Sequence, residues 1–310
     1  MDLFIRILEV IFPVIAVVGV GAWAGRFHQP EMAVANRLNM DYFTPAMVFT
    51  VLANGDFHVR EFAWLAIAAA LAMFATGLIG YVTARVLNEA PKTVALPIMI
   101  NNSGNLGIPL ALLAFGKEGM AAAVVLFLVS NTIHFSIGPW ILDHNARVSA
   151  VWKTPVLIAA GLGMACNLLE VHIWAPLMFA LRMLGDISVP LMLFALGVRL
   201  CDVRFSESTT SLVAAVVRPV SGIATAAFFG WAMDLPPLQT AELILFGSLP
   251  PAVMNYMFAE RYNQEPQKVA SIVMIGNIGF RFAWSTEPRR GSRSSTRSRS
   301  GRVASCGRRK

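Results

Sequence analysis

Nine residues, Asn101-Asn102-Ser103-Gly104-Asn105-Leu106-Gly107-Ile108-Pro109, interrupt a segment from Val94 to Phe115 that is otherwise apolar enough for a membrane interior. Three asparagines, two glycines and a proline suit a continuous helix poorly. Gly and Pro weaken it, and Asn competes for its backbone. In hydrocarbon, freed backbone groups are tolerated only where they line a cavity or are buried in protein. The segment is therefore predicted to be a broken helix within a helical membrane protein.

Composition agrees. Of 310 residues, 56% are hydrophobic and 14% charged, against about a quarter charged in soluble domains. Ten apolar segments can be placed, at about 7–25, 38–53, 62–86, 94–115, 120–142, 154–169, 175–198, 211–233, 242–259 and 269–280. The second, sixth and tenth are short by the length rule. The first is too long for a signal h-region and lacks a convincing small-residue cleavage site, so it reads as a span. Cys166, Cys201 and Cys306 show neither metal-ligand spacing nor an even disulfide set. The net charge of +7 belongs to the C-terminus: from Arg281 onward stand ten Lys/Arg and one acid, Glu287, while the remainder carries 15 basic and 17 acidic residues.

Charge also orients the chain. Loops after odd-numbered segments hold ten basic residues: Arg26, Arg37, Arg85, Lys92, Arg147, Lys153, Arg199, Arg204, Arg261 and Lys268. The opposite side holds four, Arg6, Arg60, Lys117 and Arg182. The positive-inside rule then predicts an outside N-terminus in a multi-pass membrane protein.

The two halves resemble each other. At a shift of 145, Arg37, Asp41, Pro45, Met47 and Phe49 meet Arg182, Asp186, Pro190, Met192 and Phe194. At a shift of 146, Asn131 meets Asn277. Five segments per half is an odd number, so the second half is expected to be inverted, as in many carriers. A second break is then expected in segment nine, where Gly247-Ser248-Leu249-Pro250-Pro251 precedes Asn255. The expected fold is an all-α inverted repeat of five plus five helices, the fourth and ninth broken and crossing. The units are 1–142, 154–280 and a disordered basic Ser/Arg tail at 281–310.

These strings carry a resemblance. Asn101 to Pro109, Gly185 to Gly197 (Gly-Asp-Ile-Ser-Val-Pro-Leu-Met-Leu-Phe-Ala-Leu-Gly) and the Pro-Pro…Asn…Ala-Glu-Arg-Tyr pattern from Pro250 to Tyr262 resemble the auxin efflux carrier family. That family stands within the bile acid, arsenite and auxin carrier group. The resemblance covers residues 1 to about 278, and the short loop between segments five and six looks like a bacterial-type member, which implies a bacterial inner membrane. It implies a scaffold domain and a transport domain, and secondary transport of small organic anions such as malate, malonate or auxin-like carboxylates. The alternatives are a sodium-coupled bile-acid-like symporter or a membrane receptor that binds without transporting.

Asn101, Asn102, Asn105 and Asn255 are the candidate substrate residues, since amides and half-helix N-termini suit a carboxylate without a fixed cation. The resemblance to plant carriers, whose crossover asparagines hold the carboxylate, favours substrate contact over mere capping. Gly104, Gly107, Pro109, Pro250 and Pro251 set the break geometry. Asp41, Asp186, Asn131 and Asn277 are candidates for a coupling-ion or gating role; for the two acids the competing reading is an interfacial ion pair with Arg37 or Arg182. Arg218, inside segment eight, reaches either the headgroups or an anion pathway. His134 stands alone in segment five and reads as structural. No Gly-x-Ser-x-Gly, His-Glu-x-x-His or Walker string occurs, so no enzyme activity, cofactor or metal is expected. Expected partners are a small carboxylate, the bilayer, a coupling proton or sodium ion and a second copy in a homodimer, but not nucleic acid. Segment ten is expected to stop at Arg281, truncated. The low-complexity tail beyond it reads as translation out of frame, and transport by this chain is expected to be impaired.

Overall fold

The computed structural model describes residues 2–28, 30–54, 59–144, 152–199 and 209–284. All ten apolar segments are helical there. Segment one is α1 (Asp2–Phe27) and segment two is α2 (Met32–Leu38), a π-turn at Asn39–Phe43 and α3 (Thr44–Leu52). Segment three is α4 (Val59–Val86); segment four comprises α5 (Pro91–Met99), a π-turn at Ser103–Gly107 and the start of α6 (Ile108–Leu142). Segments six and seven are α7 (Pro155–Leu168), then α8 (Ala175–Asp186) with α9 (Ser188–Arg199). Segment eight is α10 (Thr209–Ala232). Segment nine is split into α11 (Pro237–Ser248) and α12 (Met254–Arg261), and segment ten is α13 (Pro266–Trp284).

The helices are apolar on the outside. On α4, Trp64, Ile67, Leu71, Phe74, Leu78 and Val82 form an exposed stripe at helical spacing. The opposite face buries Leu65, Ala68, Ala69, Ala72, Met73 and Thr76. α10 repeats this pattern. Leu212, Val216, Val220 and Ile223 are exposed, whereas Ser211, Ala214, Arg218, Ser221 and Ala226 are buried. Large apolar residues outside and small or polar residues inside is the arrangement of helices packed in lipid, where close backbone approach replaces the hydrophobic drive. Four stretches among the described residues, Arg60–Val86, Ser103–Leu142, Ala175–Ala195 and Thr209–Ala232, are long and apolar enough to cross a bilayer. The chain is a multi-pass membrane protein.

The 40-residue stretch is a hairpin, not one rod. Gly116 adopts φ 67° and ψ −158° inside α6, a left-handed conformation that glycine reaches without a Cβ clash. The second leg returns beside the first: a Cβ on Gly104 would meet the Phe127 ring, and Ser130 reaches back to Asn101.

Packing comes in matched pairs. α1 lies along α9, as α7 lies along α3. α4 packs on α5, as α10 packs on α11. Segments two and seven are both irregular just before a proline, the π-turn ahead of Pro45 and the junction at Ile187 ahead of Pro190. Proline lacks the N–H that would close the preceding turn. Thr44 and Ser188 join the two segments through a buried hydroxyl pair at 2.9 Å.

Segment ten departs from its expected end. α13 continues through Arg281 to Trp284, because Phe282, Ala283 and Trp284 contain no breaker. Nineteen residues span about 28 Å, near the roughly 30 Å of a hydrocarbon core. The tail from 285 lies outside the described residues.

One polar network ties the loop ends of four helices. The Lys268 ammonium donates to Glu89 (2.5 Å) and Glu265 (2.8 Å). Thr210 donates to Glu89 at 2.7 Å and Thr93 to Glu265 at 2.6 Å. The Lys268 hydrogen bond, then that of Thr210, holds Glu89 below its ordinary 4.5; Lys268 and Thr93 do the same for Glu265. Glu265 and Glu89 raise Lys268 above its ordinary 10.5. The acids therefore stabilise the fold above about pH 4.5, a contribution lost as pH falls through their lowered values. Lys268 contributes below about pH 10.5 and loses its effect as pH rises through its raised value. Lys268→Met should cost about 0–1 kcal/mol per pair at neutral pH, since these groups remain partly exposed. Melting curves should show the gap from wild type closing as pH falls below about 4.5 and through the lowered values.

Candidate functional site

The two breaks meet. α5 ends at Met99 and α11 at Ser248, and the extended residues that follow run antiparallel, with Asn101 bridged to Pro251. The Asn102 N–H donates to the Pro250 carbonyl at 2.9 Å, and the Ala252 N–H to the Ile100 carbonyl at 3.1 Å. Each break thus satisfies backbone groups of the other, as buried unwound chain requires. Pro250 and Pro251 have no N–H to leave unpaired, which suits them to this position.

Side chains lock the crossing. Asn101 is buried and fully engaged: Nδ2 donates to the Phe246 carbonyl at 2.6 Å, and Oδ1 accepts from Ser130 at 3.0 Å. Asn255 Nδ2 donates to the Ile100 carbonyl at 3.2 Å, while its buried Oδ1 has no partner among the described residues. Asn277 donates to the Pro251 carbonyl at 3.0 Å and the Val273 carbonyl at 2.7 Å, and accepts a long 3.5 Å contact from Asn102. The structure therefore gathers Asn101, Asn102, Asn255 and Asn277 around one crossing.

Asn105 differs. It lies in the π-turn that opens the second half of segment four, is half-buried, and has no side-chain hydrogen bond among the described residues. The Asn102 carbonyl accepts from the Leu106 and Gly107 N–H groups at 3.2 and 3.1 Å. The N–H groups of Ser103, Gly104 and Asn105 thus precede the first intrahelical bond, as at any helix start. Gly104 and Gly107 keep this turn tight: added Cβ atoms would crowd Phe127 in one case and Leu249 and Phe246 in the other. Pro109 falls two residues after the π-turn, where α6 begins.

The other candidates lie elsewhere. Asp41 sits in the π-turn of segment two and pairs with Arg37 at 3.5 Å, the interfacial pairing considered from the sequence. Asp186 is exposed at the end of α8 and forms no ion pair with Arg182 among the described residues. Asn131 is half-buried one position after Ser130, with no side-chain hydrogen bond of its own among the described residues.

Behind the crossing lies a small cavity of about 30 Å³, lined by Asn101, Ser130, Thr76, Arg218, Thr225 and Gly247 among others. That is room for about one water molecule. Arg218 does not reach the headgroups: it is 2% exposed. Its Nη1 lies 3.4 Å from the Gly247 carbonyl, and its Nε has no partner among the described residues. The sequence held a clue, since Arg218 shares its helix face with Ser211, Ala214, Ser221, Gly222 and Ala226, and small residues mark the buried face in lipid.

Two further buried polar residues went unrecognised as site neighbours. His134 packs edge-on to Phe258 with centroids 5.0 Å apart, and it lies beside Asn255. Glu242 is wholly buried, its carboxylate against Gly119, with neither carboxylate oxygen hydrogen-bonded among the described residues. It stood at the expected start of segment nine, but α11 begins at Pro237, which carries it more than a turn inside the helix.

Among the described residues no group of three His, Cys, Asp or Glu is gathered. Two crossing half-helices with amide side chains instead form a polar centre in an apolar body. Relatives point the same way. An uncharacterized transporter of Methanocaldococcus jannaschii is 22% identical over 291 residues, covering 86% of this chain and 93% of its own. An uncharacterized transporter of Methanothermobacter thermautotrophicus is 25% identical over 270 residues, covering 82% and 87%. The membrane transport protein family model matches residues 3–151 and 146–285, carrying the auxin-carrier resemblance past its expected limit near 278 and through α13. The crossing breaks thus stand in a chain that belongs to the membrane transport protein family, the group of the auxin efflux carriers.

Proposed function

We propose that this chain is a secondary transporter that moves small organic anions, such as malate, malonate or auxin-like carboxylates, by alternating access. The observation that carries the reading is the crossover: two broken helices zipped at Asn101 and Pro251, with the amide of Asn105 left unengaged at a half-helix start. Half-helix N-termini attract anions through unpaired N–H groups and the helix dipole. In this reading Asn105 and Asn255 hold the carboxylate, Asn102 and Asn277 adjust around it, and Asn101 supports the frame. Asp41, Asp186 and Asn131 would then act away from substrate, at the gates. The cavity is too small for a dicarboxylate, so binding requires the helices around the crossover to part.

The matched packing of α1 with α9 and α7 with α3, and of α4 with α5 and α10 with α11, supports an inverted repeat with units 1–142 and 154–280. Repacking one group of helices against the other would expose the crossover to each face in turn. The loop charges support an outside N-terminus in the cell membrane. Cysteine labelling from outside should reach a probe at position 54 and miss one at 145; the opposite pattern overturns this orientation.

Proteoliposomes test the function. Accumulation of labelled malate or malonate supports a carrier. Saturable binding without flux would make the chain a receptor, and no effect of any carboxylate on flux or melting temperature would end the anion reading.

A further inference from the structure

Half-helix C-termini are the places where carriers of this general plan hold coupling cations, because their last carbonyls carry partial negative charge without intrahelical donors. Here the end of α11 is already filled. The Phe246 carbonyl is taken by Asn101, and the Gly247 carbonyl faces Nη1 of Arg218. The backbone permits this approach because α10 and α11 touch at Gly222 and Gly247, where a Cβ on either residue would overlap the other's backbone. The Arg218 guanidinium thus reaches the crossover cavity from a neighbouring helix, 2% exposed.

Its charge is barely compensated within the protein. The one acceptor is a carbonyl at 3.4 Å, the Nε is unpartnered, and no carboxylate lies within ion-pair distance among the described residues. A buried, unpaired charge is costly. A snorkelling arginine would have carried its guanidinium to the interface instead. A residue serving only to cap α11 would need one neutral donor, which Asn101 already illustrates. The remaining polar lining, Thr76 and Thr225, donates to backbone carbonyls of its own helices at 2.8 Å in each case. The guanidinium fixed among these oxygens would repel a free cation entering the same small cavity.

We infer that Arg218 is a tethered cation, standing where a coupling metal cation would otherwise bind, so that its fixed charge electrostatically favours an anion at the crossover without sodium. This rests on the anion-carrier reading above and deepens it. It disfavours the sodium-coupled alternative.

The test uses the full chain, purified and reconstituted, with labelled malonate as the probe and sodium replaced by N-methyl-D-glucamine. Wild-type uptake and melting temperature should be unchanged by the replacement. Arg218→Met, close in size but uncharged, should lose about tenfold or more in apparent malonate affinity, as expected for a charge-assisted contact. Arg218→Lys should keep most of it. Arg218→Ala should be stabilised by added guanidinium or sodium ions that leave the wild type unaffected. Equal behaviour of the Met and Lys variants, or wild-type uptake or stability that depends on sodium, overturns the inference while leaving a carrier intact. Malonate-inert wild type would count against the proposed substrate class alone; the cation-dependent stability of the Ala variant reads out Arg218 without substrate.

Discussion

Asn101→Leu should lower the melting temperature of the purified protein by more than any other single amide substitution at the crossover. The side chain joins two elements across the crossover: its Nδ2 donates to the Phe246 carbonyl at the end of α11, and its Oδ1 accepts from the Ser130 hydroxyl on the returning leg of α6. Both partners are almost wholly buried. Leucine keeps the approximate volume and removes both bonds, leaving the Ser130 hydroxyl without its acceptor, at about 1–3 kcal/mol, and the Phe246 carbonyl with only the long 3.4 Å bond from the Leu249 N–H. Ser130→Ala breaks only one of the two, and should cost about 1 kcal/mol. Their melting temperatures in one detergent separate the cases. If Asn101→Leu melts like wild type, Asn101 does not hold the breaks together.

Why was so much of this crossing readable and its wiring not? The breaks announce themselves because Asn, Gly and Pro are conspicuous in apolar surroundings, and a broken backbone in lipid has to be rescued by something. The half-to-half similarity then located the second break. What sequence pattern does not contain is the partner: Asn101 and Phe246 lie 145 residues apart, and nothing local says which carbonyl an amide will meet. The boundaries failed for a different reason. In the sequence, charge marks the start of segment nine at Glu242 and the end of segment ten at Arg281. The backbone runs helically through both, and at Glu242 the surrounding helices, not water, enclose the carboxylate. Arg218 shows the converse. Its presence inside an apolar segment was plain, but choosing between headgroup and pathway required reading the face of α10, where small residues flank it.

Asn105→Ala should do the reverse of Asn101→Leu, leaving stability intact and weakening substrate. Among the described residues the Asn105 side chain holds nothing in place, so its removal takes no hydrogen bond from the fold. The π-turn around it is kept by backbone bonds to the Asn102 carbonyl, which alanine preserves. If its amide donates to a substrate carboxylate, the loss is that of a hydrogen bond to a charged group, about 1–3 kcal/mol. That corresponds to a roughly 5- to 150-fold rise in the apparent Kd. Asn105→Asp makes a sharper version of the test: the size is unchanged, but a second carboxylate would face the substrate's own, and binding should be abolished near neutral pH and partly restored on acidification. The readouts are malonate-dependent melting shifts and uptake into proteoliposomes, each set against the unliganded melting temperature. Full affinity in both variants would take Asn105 out of the substrate site. A melting temperature that falls as far as that of Asn101→Leu would make it a second structural amide, leaving Asn255 as the remaining candidate to meet the anion.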